Sequence, residues 1–343
     1  MKSKMGSVPS TVYQLIFRWF IMNILFVASG YTGIYKFFEE WIMHELKKKH
    51  NVKIVDPLIG FPRLQTLAKE FKPKAALVFL GFKCPPKFIE WLKTNGVKTA
   101  VWFTEDPYYM DRTELLAPYY DYIFTIDSAA NDFYKEKGHT QTFHLPLAAS
   151  PAIFKPYNVG PKYKSEICLL GYPYPDRIKY VQLLLQKTPF TIKVIGNWRN
   201  KLFRFRNNPR LNVHDNWVNP SLAAQFYNGA NIVLNTHRPY NLIQNKNRIG
   251  LHGTSINNRT FDVAACSAFQ LIEFKEDLPE HFVEDKEMVS FKNEDELILK
   301  INYYMKFKEE RQEIAANAAK RVLEEHTFEK RIEKMLSILQ TYN

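Results

Sequence analysis

The stretch Met22-Asn23-Ile24-Leu25-Phe26-Val27-Ala28-Ser29-Gly30 decides the fold. It is a short apolar run that closes on small residues, the pattern of a strand buried on both faces of a parallel sheet. A βα rhythm follows it. Residues 34–49 read as an amphipathic helix, with Phe37, Phe38, Trp41, Ile42 and Leu46 marking the apolar face. Lys47, Lys48 and Lys49 suit the helix C-terminus. Further strands are expected at 52–55, 75–80, 98–104, 122–126 and 142–145, with helices at 62–70, 85–94 and 128–137. Asn95-Gly96 and Gly138 act as stops. Pro146, Pro151, Pro156 and Pro161 then punctuate the chain, and 151–161 is expected to be a linker.

A second alternating series begins beyond it. Strands are expected at 166–170, 191–195, 211–214, 231–235, 268–273 and 288–291. Helices are expected at 176–186, 221–229, 258–266, 294–305 and 309–325, and a terminal helix at 327–341. The reading is an α/β chain of two Rossmann-like, doubly wound domains, 22–150 and 162–326, facing each other across a cleft. Residues 327–343 are then a terminal piece that can pack back on the first domain.

The length of 343 residues suits two domains, and a 46% hydrophobic content excludes wholesale disorder. The three cysteines, Cys84, Cys168 and Cys266, lie far apart without metal-site spacing. This excludes a disulfide framework, argues against a structural zinc site and points to a reducing, cytoplasmic compartment. Residues 1–21 carry Lys2, Lys4 and Arg18 and no acid. A signal peptide cut after Val27-Ala28-Ser29 would delete the opening strand, and Arg18 and Asn23 interrupt any membrane span. The preferred reading is an extension ahead of a domain that starts at Met22.

The net charge is +12. It invites nucleic acid, an anionic membrane surface or a phosphorylated substrate. Much of the excess sits in two acid-free segments. Residues 196–214 hold Arg199, Lys201, Arg204, Arg206 and Arg210, and 237–260 hold Arg238, Lys246, Arg248 and Arg259. Both begin at strand ends, where open α/β sheets bind ligands. A diphosphate held by Arg and Lys side chains explains both segments at once. Asn197 and Arg199 follow one strand, and Asn235, His237 and Arg238 another; a lone histidine such as His237 is more often packed than reactive. The basic residues are confined to loops of one domain and no nucleic-acid motif is present, so nucleic acid is not an expected partner.

Glu105 and Asp106 end an apolar strand ahead of Pro107. A reaction at a substrate hydroxyl needs a group to take its proton, and burial beside a like charge can tune a carboxylate for that role. Asp106 is the preferred base and Glu105 the second choice; the alternative is that Asp106 only caps a turn.

The block Asn257-Asn258-Arg259-Thr260-Phe261-Asp262-Val263-Ala264-Ala265-Cys266-Ser267-Ala268-Phe269-Gln270-Leu271-Ile272-Glu273 carries a family likeness. With Asp277-Leu278-Pro279, the 102–108 stretch and Leu145-Pro146-Leu147-Ala148, it resembles the CgeB-like spore-maturation glycosyltransferases of the GT-B group. The resemblance covers about residues 22–340. It implies transfer of a sugar from a nucleoside diphosphate sugar, with uridine favoured, to an unknown glycan, protein or lipid. It also implies no cofactor and no bound metal, and no Asp-x-Asp occurs here. Asp262 stands where related enzymes place a glutamate that accepts from the ribose hydroxyls, with Arg259 and Thr260 just ahead of it. Trp217 and Val218 match the base-contacting position, and the first turn, with Gly30, the approach to donor phosphates or acceptor. Two departures stand out: Thr254 replaces an acid of the more distant retaining enzymes, and Ser267 replaces a frequent glycine. A non-catalytic nucleotide- or glycan-binding protein of the spore coat or cell surface is the competing class. Peripheral attachment to a membrane or spore stays open beside the cytoplasm. A chain beginning at Met22 is expected to be soluble and to melt with the full-length protein in a calorimetric scan. A large drop in melting temperature would show that the extension packs on the body.

Overall fold

The structure is a computed structural model, and it describes residues 21–341. Apart from Ile21, the expected N-terminal extension lies outside the described residues. The first half runs β1 (Asn23–Val27), α1 (Ile34–Lys47), β2 (Asn51–Val55), α2 (Phe61–Phe71), β3 (Ala75–Phe79) and α3 (Pro86–Thr94). It continues with β4 (Lys98–Phe103), α4 (Met110–Leu116), β5 (Tyr122–Thr125), α5 (Ser128–Glu136) and β6 (Thr142–His144). The strands form one sheet in the order β2-β1-β3-β4-β5-β6, and every pairing is parallel. Central β3 is buried at every position, as a sheet covered on both faces requires, while edge strand β2 exposes Asn51 and Ile54.

The second half runs β7 (Ser165–Leu170), α6 (Pro175–Lys187), β8 (Ile192–Ile195), β9 (Leu211–His214), α7 (Pro220–Gly229) and β10 (Ala230–Asn235). Then come α8 (Arg259–Ala265), β11 (Gln270–Glu273), α9 (Leu278–His281), β12 (Val289–Phe291), α10 (Glu294–Lys306), α11 (Lys308–Glu325) and α12 (Phe328–Thr341). Its sheet is again parallel, in the order β12-β11-β10-β7-β8-β9. The strand order reverses between β1 and β3 in one sheet and between β7 and β10 in the other, and a crevice opens at such a reversal. The short helices α4 and α9 were not expected, because one or two turns carry too little periodicity to read. All three cysteines are buried and free. No helix of the described residues is long and apolar enough to cross a membrane.

Two joints hold the halves. The first is aromatic. Trp41 of α1 lies 5.4 Å from Phe328 of α12 and 6.1 Å from Phe154, ring centre to ring centre. Phe328, Ile332, Met335, Leu336 and Leu339 of α12 pack into the first half's core with Phe38 and Ile42. Ala149 pairs with Thr327, and buried Arg331 donates from Nε to the Pro146 carbonyl at 2.9 Å. The chain around the expected linker is therefore fastened at its entry. Farther on, Asn228 of α7 accepts from the Tyr157 amide and donates to the Lys155 carbonyl.

The second joint is polar. The loop between β10 and α8 crosses to the first half, where Asp127 Oδ2 accepts from the amides of Thr254 and Ser255 at 3.1 and 3.2 Å. The Lys246 amide donates to the Tyr108 carbonyl at 2.8 Å, and Arg248 Nε stands 3.1 Å from Asp111 Oδ2. Removing the ring at the first joint tests its weight. Phe328→Ala is expected to cost about 3–5 kcal/mol, as deletion of a buried aromatic does. The exposed Leu323→Ala should cost almost nothing in the same urea titration.

Candidate functional site

A cavity of about 390 Å³ lies between the two sheets, in the size range of small-molecule sites. The carboxyl ends of strands from both halves supply its walls. Thr104 and Glu105 follow β4, Gly171 follows β7, and Gly196 and Asn197 follow β8. Trp217, Val218, Arg259 and Asp262 complete the side of the second half, and Tyr35 and Phe38 of α1 close the other.

Glycine is required at two of these strand ends. Gly171 has φ +138°, and a Cβ on it would stand 2.7 Å from Arg177 Nη1 and 3.0 Å from Arg259 Nη2. Gly196 has φ +131°, and a Cβ there would meet the Gly171 carbonyl at 2.6 Å. The two turns thus nest together, and two guanidinium groups close on the first. Arg177 is wholly packed, donating to Thr236 Oγ1, the Thr236 carbonyl and the Tyr172 carbonyl at 2.9, 2.7 and 3.0 Å. Burial, and then the charge of Arg259, lower its pKa to about 9. Arg259 donates to Asn235 Oδ1 at 3.1 Å. Neither arginine has a carboxylate within 4.0 Å among the described residues. Sequence reading passed over Arg177, which stands inside a helix that looks solvated.

Asp262 lies one helical turn beyond Arg259. Its Oδ2 accepts from Asn258 at 3.3 Å, while Oδ1 is buried without a partner. Burial pushes the carboxyl well above its usual range, and Arg259 opposes this. The Thr104 hydroxyl is a second buried, unpartnered polar group on the cavity wall. Buried polar atoms are seldom left unpaired, and both groups keep hydrogen-bonding capacity that no neighbour takes up. Trp217 is exposed at the rim, 6.5 Å from the Phe37 ring of the opposite half, and Val218 is buried beneath.

Glu105 faces the cavity from the first half. The Tyr35 hydroxyl donates to its Oε1, and Arg238 Nη1 stands 3.6 Å from its Oε2. Burial raises the Glu105 pKa; the Tyr35 bond and the Arg238 charge pull it back. Arg238 lies over the Tyr108 ring at 4.7 Å and leaves a buried Nε without a partner.

Asp106 is elsewhere, which corrects the expectation that it faces the cleft. It is 1% exposed, and both oxygens are taken inside the first half. Thr113 and Thr125 hydroxyls donate to it at 2.8 Å each, and the Tyr134 hydroxyl at 3.0 Å. Six expected donor residues, Gly30, Arg199, Asn235, His237, Arg238 and Thr260, do not line the cavity. Arg199 points to solvent and pairs with Asp215 at 3.5 Å. Gly30 sits in the first turn, its carbonyl accepting from Lys83 at 2.7 Å. The His237 ring is packed between the Glu273 carbonyl at 2.9 Å and Asn257 at 3.1 Å, and burial lowers its pKa to about 3. Asn235 and Thr260 are buried supports: Asn235 donates to Thr260 Oγ1 at 3.1 Å while its Oδ1 holds Arg259. Of the second basic segment, Arg259 lines the cavity and Arg238 reaches only its wall residue Glu105; Lys246 and Arg248 meet the first half.

Two parallel sheets of Rossmann type with a cleft between their carboxyl ends define the GT-B class of glycosyltransferase folds. Solved structures agree with that class. Sucrose-phosphate synthase of Thermosynechococcus elongatus superposes with a TM-score of 0.70 at 9% identity, over 94% of this chain and 99% of that one. The Anabaena HepE protein, crystallised with UDP and glucose, gives 0.66 at 12% identity over 93% and 100%. A glycosyltransferase of Rickettsia africae gives 0.65 at 12% identity over 93% and 97%. Residues 177–337 match the glycosyl transferase-like family model. The spore protein CgeB of Bacillus subtilis is 33% identical over 321 residues, covering 92% of this chain and 98% of that protein. The chain belongs to the CgeB family.

The burial of Asp106 has a measurable consequence. Its pKa is pushed up to about 7 by burial, against three hydroxyl donors that lower it. The folded chain therefore keeps a proton that the unfolded chain releases near pH 4. Stability from this group is full below that pH and is lost as pH rises through about 7, at up to about 1.4 kcal/mol per pH unit. Asp106→Asn is expected to flatten this part of the profile when urea titrations are run from pH 5 to 8. An unchanged slope would show that the proton is not on Asp106.

Proposed function

We propose that the chain transfers a sugar from a nucleoside diphosphate sugar, a UDP-sugar first among them, to a hydroxyl of a glycan, protein or lipid acceptor in spore or cell-surface glycan formation. The observation that carries the reading is Arg259 beside Arg177 at the end of β7, with the unpartnered Asp262 Oδ1 one turn away. A diphosphate supplies the anion that the arginines lack, and a ribose supplies hydroxyls for Asp262. Trp217 and Val218 offer an apolar wall for the base. The complexes of HepE with UDP and with UDP-glucose support a uridine donor here.

In the reaction the bond from the anomeric carbon to the diphosphate oxygen breaks, and a bond from that carbon to the acceptor oxygen forms. The acceptor's proton passes to a base, and Glu105 takes that role. It faces the cavity from the half opposite the arginines, and burial lifts its pKa toward a proton-accepting range. Tyr35 and Arg238 orient it. Arg259 stabilises the charge that gathers on the departing diphosphate, in place of a divalent cation.

The reading is tested by turnover and donor affinity measured together, with a panel of UDP-sugars as substrates for hydrolysis or transfer. Glu105→Gln is expected to lower turnover by about 10²–10⁴-fold and leave donor affinity within about threefold. Asp106→Asn is expected to keep turnover. Normal turnover in Glu105→Gln would remove Glu105 as the base. Donor binding without turnover in the wild-type chain would favour a binding protein instead.

A further inference from the structure

Behind the cleft, three side chains from separate parts of the sequence converge at the boundary of the halves. His144 closes β6 of the first half. Asp277 immediately precedes α9 of the second, and His281 is the last residue of that helix. Asp277 Oδ2 lies 3.3 Å from His281 Nε2 and 3.8 Å from His144 Nε2. The ligating atoms of all three lie within 4.8 Å of one another. The side chains are only 15%, 1% and 10% exposed, in the order His144, Asp277, His281. None of them lines the donor cavity.

We propose that His144, Asp277 and His281 bind one zinc ion that clips the two halves together. Zinc bonds to imidazole nitrogen and carboxylate oxygen are about 2.0–2.2 Å, so tetrahedral ligands stand roughly 3.3–3.5 Å apart. The Asp277–His281 edge has that length, and the Asp277–His144 edge exceeds it by a few tenths of an ångström. Two imidazoles and one carboxylate suit zinc better than magnesium or calcium, which favour all-oxygen shells.

The surroundings hold the ligands as a metal site requires. Asp277 Oδ1 accepts from the Ile256 amide at 2.8 Å, which leaves Oδ2 to the ion. Ser255 Oγ, 3.2 Å from His144 Nε2, marks where a fourth ligand, the hydroxyl itself or a water, completes the shell. Lys334 and Arg331 bring positive charge to this neighbourhood, and Asp127 brings a second carboxylate that interacts with Asp277. Cysteine spacing argued against a structural zinc, but this site uses no cysteine, and its ligands come together only in the fold.

The test measures metal on the full-length chain, independently of any sugar transfer. The protein is dialysed with zinc, then against metal-free buffer, and zinc is counted by mass spectrometry. One zinc per chain is expected. Cobalt added to the metal-free chain should give the visible absorption of a four-coordinate ion. His144→Gln and His281→Gln should each retain less than a tenth of the metal, while His44→Gln, a change at an exposed histidine, should retain all of it. EDTA should lower the melting temperature of the wild-type chain and leave that of His144→Gln unmoved. A folded wild-type chain that retains no zinc and shows no cobalt spectrum would overturn the proposal. So would zinc retained by both histidine variants. In either case the trio is a hydrogen-bonded latch without an ion.

Discussion

Like charges held together with no carboxylate within 4.0 Å of either, among the described residues, are the constraint on which this structure turns. Arg177 and Arg259 crowd the same glycine, at the point where the second sheet reverses its strand order. The protein holds each by neutral acceptors: two carbonyls and a hydroxyl for Arg177, an amide oxygen for Arg259. Neutral acceptors fix a guanidinium without cancelling its charge, so the cleft wall keeps positive charge at Arg259, with buried Arg177 behind it. The glycines, buried Asn235 and Thr260 make sense as parts of that arrangement, since each either leaves room for a guanidinium or braces one.

The positive wall needs an opposing face at a fixed distance, and the two joints between the halves supply it. Trp41 and Phe328 anchor α12 across the first half, while the loop before α8 reaches over to Asp127. That loop also bears the residue just ahead of Arg259, so the polar joint and the anion wall are one continuous piece of chain. Glu105 enters from the far side with its orientation set by Tyr35 and Arg238. The carboxylate that would accept a proton and the arginines that would hold the leaving group therefore belong to different halves, and the joints set their separation.

Much of this was legible in the sequence because parallel strands buried on both faces are nearly uninterrupted apolar runs. The run from Met22 to Gly30 could be read as a strand, and its successors likewise. The block from Arg259 to Glu273 marks Arg259 and Asp262 as second-half residues from the sequence alone. Asp106 was misread because the chain turns just beyond β4: Thr104 and Glu105 both line the cavity, while Asp106, in the turn, enters the first half, where Thr113, Thr125 and Tyr134 meet it. An acid-free segment signals a basic surface and not which of its members turn inward. Arg199 went to solvent and Arg248 to the other half, whereas Arg259 lines the cavity and Arg238 meets Glu105. Arg177 and the histidine–aspartate trio left no local pattern, since both depend on contacts made across the fold.

The central claim is that the arginine wall receives a nucleoside diphosphate. Calorimetric titration of UDP into the wild-type chain and into Arg259→Ala, with no divalent cation added, tests it most directly. The account predicts binding to the wild-type chain and at least a tenfold weaker affinity in the variant, a loss of about 1.4 kcal/mol or more. Folded wild-type protein that binds neither UDP nor any other nucleoside diphosphate, or an Arg259→Ala chain that binds UDP as tightly as the wild type, would contradict it.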